Sequence, residues 1–222
     1  MSRANPKGAT EAQLARNLSY YFSLVSPWAY LGHAELGRIA QTRDVVVDYR
    51  PVNLMELFPD TGGLPLPKRH PFRQNYRFME MQRWRETRDV PLVLKPKFWP
   101  FDFKLADRAM LMASSLADQD AVHLLVAFAF RAVWVEERNL ADEATLAEVA
   151  TAAGFDANKL IDAARSDAAL SAHAANFERA REDGVFGSPS YVLDGEVFWG
   201  QDRLGMLDAA LASGRAPYVA DA

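Results

Sequence analysis

Residues Asn17–His33 read NLSYYFSLVSPWAYLGH. Asn17–Leu24 is dense in aromatic side chains and predicts a strand. Ser26-Pro27 then starts a helix that runs to about Thr42. Serine is favoured at an N-cap because its oxygen accepts a free backbone N–H. Proline is favoured at the first helical position because it has no N–H to leave unpaired. Leu31, Ala34, Leu36, Ile39 and Ala40 recur at helical spacing and give that helix a broad apolar face. Val45–Val52 (VVVDYRPV) predicts a second strand. A strand, a long crossover helix and a second strand make a parallel pair.

Further out, the chain changes character twice. Asp60–Pro67 (DTGGLPLP) is a turn-rich loop, Pro71–Arg88 a polar helix studded with aromatics, and Pro91–Pro100 an irregular segment with three prolines. From Asp102 to about Gly184 the pattern is helical, with breaks near Asp118, Asn139, Gly154–Asp156 and Ser166. Asp142 and Asp156 stand where N-caps belong. Strand chemistry then returns: Ser190–Leu193 and Glu196–Trp199 flank Asp194-Gly195, a hairpin signal. Gln201–Ser213 closes the chain as an amphipathic helix, with Gly214 as its C′ residue. The expected fold is α/β: a β-α-β…β-β-α core carrying a large all-helical insertion. The division expected is a disordered arm over 1–16, a discontinuous core over 17–55 and 185–217, and a helical insertion over 56–184.

Composition removes several function classes. The chain has 222 residues, a net charge of −4 and no cysteine. A protein thiol, a disulfide and a zinc–thiolate site are therefore excluded, and any thiol chemistry needs a thiol brought by a ligand. His33, His70, His123 and His173 lack metal-ligand spacing and are assigned structural or surface roles, so no metal is expected. Mild acidity gives no general reason to bind nucleic acid or an anionic membrane. Residues 1–16 show no apolar signal-peptide core, and Ala121–Val135 is too short to cross a bilayer. A cytoplasmic location is the expectation.

Four segments can carry chemistry. Ser26-Pro27-Trp28-Ala29 lies at a strand-to-helix junction, where a thioredoxin-like fold keeps its C-x-x-C motif. A helix N-terminus stabilises an anion such as a thiolate. Ser26 either caps the helix and nothing more, or also donates to an incoming sulfur anion. Gly184–Pro189 (GVFGSP) leads into the hairpin, and Pro189 is either an ordinary trans turn proline or a cis one. Phe198–Leu204 (FWGQDRL) offers Gln201 and Asp202, the latter as a helix cap or as a partner for a ligand ammonium group. Lys68, Arg69, Arg73, Arg77, Arg83 and Arg85 form a dense basic run, either solvated surface or a carboxylate site.

Together YYFSLVSPWAYLGH and GVFGSPSYVLDGEVFWGQDRL resemble the 2-hydroxychromene-2-carboxylate isomerases. That family is similar to the kappa-class glutathione transferases and sits in the DsbA-like thioredoxin superfamily. The resemblance covers about residues 17–214. It implies a thioredoxin domain interrupted by helices, a homodimer and glutathione as cofactor. It places the active-site serine on Ser26, the cis-proline on Pro189 and a backbone contact to the cysteinyl unit on Ser188. It sets Asp202, followed by Arg203, against the γ-glutamyl ammonium. It puts a further position on or near Asn53 and Leu54, and a basic residue near Lys68 or Arg73 against a glutathione carboxylate. The chain departs from the family pattern at Ser23, where an acid is common, at Ser188, where Val or Leu is common, and in PVNLMELF.

The leading expectation is cis–trans isomerisation of an aromatic, pyruvate-bearing acid in aromatic degradation. Trp28, Trp99 and Phe101 are candidates to hold the ring, or else simply pack in the core. A kappa-type glutathione transferase or peroxidase is the alternative among enzymes. A non-catalytic thioredoxin-fold binding module is the alternative of another class.

Overall fold

The computed structural model describes residues 16–220. The expected N-terminal arm, 1–16, lies outside the described residues apart from Arg16, which opens the first strand. In chain order come β1 (Arg16–Phe22), α1 (Pro27–Arg43), β2 (Val45–Pro51) and α2 (Leu54–Thr61). A 3-10 turn at Leu66–Lys68 leads into α3 (Pro71–Arg88). Then follow α4 (Lys104–Ala113), α5 (Gln119–Trp134), α6 (Glu143–Ala152), α7 (Ala157–Arg165) and α8 (Asp167–Glu182). The chain ends with β3 (Ser190–Leu193), β4 (Glu196–Trp199), a 3-10 turn at Gln201–Arg203 and α9 (Leu204–Ser213).

The four strands form one sheet in the order β2-β1-β3-β4. β1 and β2 run parallel, as their long crossover helix requires, and β3 and β4 pair antiparallel to β1 and to each other. Asp194 and Gly195 both take positive φ at the hairpin tip, the turn that an Asp-Gly pair accommodates. The order β-α-β, helices, β-β-α is the thioredoxin-like α/β architecture expected from the sequence.

Alternation along β1 sends its side chains to two cores. Leu18, Tyr20 and Phe22 face α1 and the buried sides of α4 and α5. Tyr20 stacks on Tyr191 and meets Tyr49 edge-on across the neighbouring strands. Tyr21 points the other way, against Val52, Leu57, Ala180, Val185 and Val192. Helices α2 to α8 are inserted between β2 and β3; the larger core runs from the sheet into α3 to α7, while α2 and α8 pack into the smaller one.

One helix escaped sequence reading. Leu54–Thr61 is helical although it is short and contains Pro59. Asn53 starts it by accepting Met55 N–H at 3.0 Å, and Gly62 ends it at φ 75°. The other expected breaks fall where Asp118, Asp142, Asp156 and Ser166 cap α5, α6, α7 and α8 with their side chains.

Candidate functional site

The site is built around the first turn of α1. The first four N–H positions of any helix lack carbonyl partners inside it, and here that of Ser26 donates to Ser23 O at 2.9 Å. Here Pro27 has no N–H, and Ala29 N–H donates to Ser26 Oγ at 3.3 Å. That leaves Trp28 N–H, which meets no acceptor among the described residues. Ser26 is buried, and its hydroxyl donates to Ser188 O at 3.1 Å. Ser188 Oγ in turn accepts Ser23 N–H at 2.9 Å, while Ser23 Oγ is buried without a partner. The Ser188–Pro189 peptide is cis, and Pro189 O accepts Gly200 N–H at 2.9 Å. The strand-to-helix junction and the loop before the hairpin therefore meet at one corner, as the two terminal motifs implied.

Two indoles hold that corner from the helical side. Trp134 Nε1–H donates to Leu24 O at 3.0 Å, and Trp99 Nε1–H donates to Val25 O at 2.9 Å. Both carbonyls lie just before Ser26. Trp134, at the end of α5, was invisible as a site residue because nothing in its local pattern separates it from core packing. Trp28, Trp99 and Phe101 are all partly buried against the core. Trp99 and Phe101 also line a cleft of about 370 Å³ with Lys97, Asn139 and Ala141. A larger depression of about 700 Å³ lies between β2 and α8 and touches none of these residues.

Past the hairpin, Gly200 takes φ 103°, a conformation open to glycine that brings the next turn back towards the sheet. Gln201 is buried, and its carboxamide oxygen accepts Arg88 Nη2 at 3.1 Å and Nε at 3.2 Å. Arg88 Nη2 also reaches Gln201 O at 3.0 Å. Gln201 thus ties α3 to the hairpin. Asp202 caps no helix through its side chain; it is exposed and pairs with Arg203 at 2.7 Å. Asn53 serves as the α2 cap and donates to Glu56 Oε1 at 2.7 Å.

The basic run divides by burial. Lys68 and Arg73 are exposed, whereas Arg69 and Arg77 are partly buried. Burial lowers the Arg69 pKa, with the Arg73 charge adding to it. Burial, then repulsion from Arg69, brings Arg77 down to about 10. It remains a cation at neutral pH.

A chain without cysteine can still hold a sulfur anion here. Trp28 N–H is a free donor, the Ser26 hydroxyl can turn from Ser188 O, and the α1 dipole adds positive potential. Asp202 offers a carboxylate to an ammonium group, and Lys68, Arg69, Arg73 and Arg77 offer cations to carboxylates, whereas Arg83 is paired with Glu80. The donor set fits a thiol-bearing, zwitterionic tripeptide.

Fold and corner together define a thioredoxin-fold protein with no thiol of its own. Residues 17–212 match the DSBA-like thioredoxin domain, and the chain belongs to that family. The resemblance to 2-hydroxychromene-2-carboxylate isomerases is borne out. The enzyme of that name from Sphingobium xenophagum is 28% identical over 199 residues, covering 89% of this chain and 99% of its own. A solved 2-hydroxychromene-2-carboxylate isomerase superposes with a TM-score of 0.74 at 27% identity, over 89% of this chain and 95% of the other. Glutathione S-transferase kappa 1 of Rattus norvegicus is 23% identical over 202 residues, 86% of this chain and 89% of its own.

Proposed function

We propose that the chain is a glutathione-dependent cis–trans isomerase acting on an aromatic pyruvate-type acid, as in 2-hydroxychromene-2-carboxylate. The observation that carries the reading is the free Trp28 N–H beside the buried Ser26 hydroxyl, at a helix N-terminus of a chain with no cysteine. Bound glutathione supplies the thiol whose addition to a conjugated double bond, and later loss, lets that bond rotate.

The protein's own groups then have defined tasks. Trp28 N–H and Ser26 Oγ–H donate to the sulfur and lower its pKa. As Ser26 turns its proton to sulfur, Ser188 O is freed to accept the cysteinyl N–H, next to Pro189. Asp202, flanked by Gln201, takes the γ-glutamyl ammonium. Asn53, Lys68 and Arg73 face the remaining polar groups of the tripeptide. Trp28, Trp99 and Phe101 hold the aromatic ring. The same proposal places the site between a thioredoxin-like unit, 17–55 with 185–217, and a helical unit, 56–184, in a cytoplasmic homodimer.

The test is turnover of an arylidene pyruvate with and without glutathione, while total thiol is titrated. Isomerisation that needs glutathione and leaves its amount constant is expected. Stoichiometric loss of thiol would mean a kappa-type transferase. Equal rates without glutathione, or no binding of it at millimolar concentration, would remove the proposal.

A further inference from the structure

Arg69, Arg73 and Arg77 follow one another at intervals of four residues, and the latter two share a face of α3. Arg77 is the innermost. Its guanidinium lies 5.5 Å from the Trp99 ring centroid and 5.8 Å from that of Phe78. The Lys95 ammonium sits 5.1 Å from the same Phe78 ring. No carboxylate among the described residues forms an ion pair with Arg77; on this helix Glu80 is taken by Arg83. The charge felt most strongly by Arg77 is the like charge of Arg69.

A cation that is partly desolvated and repelled by a neighbour gains doubly from an anion. A flat guanidinium suits a carboxylate, which it can meet with two parallel N–H bonds. The surroundings fix what else the ligand carries. Trp99 lies against Arg77 and donates its N–H to Val25 O, beside Ser26. Trp99 and Phe101, with Phe98, give the 370 Å³ cleft aromatic walls for a ring, while its polar lining is Lys97, Asp102 and Asn139, so the cation that would meet the acid is Arg77 on the other side of Trp99. One indole therefore stands between the unpaired cation and the sulfur corner.

Resting on the isomerase reading, we propose that Arg77, backed by Arg69, binds the carboxylate of the aromatic substrate and so makes the site select an acid. Lys68 and Arg73, both exposed, are left to the carboxylates of glutathione.

The test compares an arylidene pyruvate with its methyl ester. Binding without glutathione is read by tryptophan fluorescence, and the KM of each substrate by turnover. Arg77→Gln weakens the acid by about 10- to 100-fold, the range for a lost charge-assisted bond, and leaves the ester and glutathione unchanged. Arg77→Lys recovers part of the acid's affinity, and Arg83→Gln, on the same helix, behaves as wild type. Thermal melts of each variant report folding. Unchanged affinity for the acid in Arg77→Gln overturns the proposal. So does an equal loss for acid and ester, which marks packing alone, or a loss confined to glutathione, which assigns the cation to the tripeptide. Arg77-dependent binding of the acid without glutathione-dependent turnover would remove the isomerase reading and keep the carboxylate site.

Discussion

Replacing Ser26 by alanine separates its two tasks, because they differ in size. In the protein alone, the hydroxyl accepts Ala29 N–H at 3.3 Å and donates to Ser188 O at 3.1 Å, both at the long end of the range. Losing a long N-cap bond and leaving one buried carbonyl unpaired costs about 1–2 kcal/mol together. For a domain of this size that lowers Tm by roughly 2–8 °C. A hydrogen bond to a sulfur anion is charge-assisted and contributes about 1.5–3 kcal/mol. Its loss raises the pKa of the bound thiol by about 1–2, since each pH unit corresponds to about 1.4 kcal/mol. Near neutral pH the thiolate population, and with it turnover, falls roughly 10- to 100-fold. The assay is the ultraviolet absorbance of the thiolate of bound glutathione against pH, run beside the pH–rate profile. In Ser26→Ala both curves move to higher pH by the same amount, and raising the pH recovers rate. A variant that melts lower but titrates like wild type would refute the reasoning and leave Ser26 as a helix cap.

Two further predictions concern stability. Asp107 on α4 is fully buried; neither carboxylate oxygen has a hydrogen-bond partner, and His173 of α8 lies 4.0 Å away. Burial raises its pKa to about 6 from 3.8, with His173 opposing the rise. The folded state therefore holds a proton that the unfolded chain has released, and stability falls as pH climbs from about 4 to 6. Asp107→Asn is expected to be more stable by up to about 3 kcal/mol above pH 6, with the difference vanishing below pH 4. Urea titrations at pH 3.5 and pH 8 decide it, and a variant less stable at pH 8 would contradict it. Arg88→Ala leaves the buried Gln201 with an unpaired carbonyl and carboxamide oxygen, a loss of about 2–3 kcal/mol. Arg88→Lys restores only part, because an ammonium cannot make the fork; a denaturation midpoint that does not move in Arg88→Ala would count against this link.

Much of the fold was legible because local chemistry and tertiary role agree. Ser26-Pro27 reads as a helix start and is one; Asp194-Gly195 reads as a hairpin and takes the positive φ values that require it. α2 was hidden because Pro59 argues against a helix; that proline removes one donor, and the Asn53 cap on Met55 N–H together with the burial of Leu57 and Phe58 holds the element nonetheless. The geometry of the candidate site was legible at the level of motif. Ser26 and Ser188 share a corner, which two separated segments of sequence could imply only through a known architecture. Side-chain partners were not legible. Gln201 reads as a free amide until Arg88, from a helix more than a hundred positions earlier, is seen to occupy it. The same holds for Arg77: in the sequence it is one cation among six, and burial against Trp99 sets it apart.

A crystal structure of the protein with glutathione bears most directly on the borrowed-thiol chemistry. The sulfur is expected within hydrogen-bonding reach of Ser26 Oγ and Trp28 N–H, with the γ-glutamyl ammonium at Asp202. Glutathione ordered elsewhere, with Ser26 still donating to Ser188 O, would contradict it.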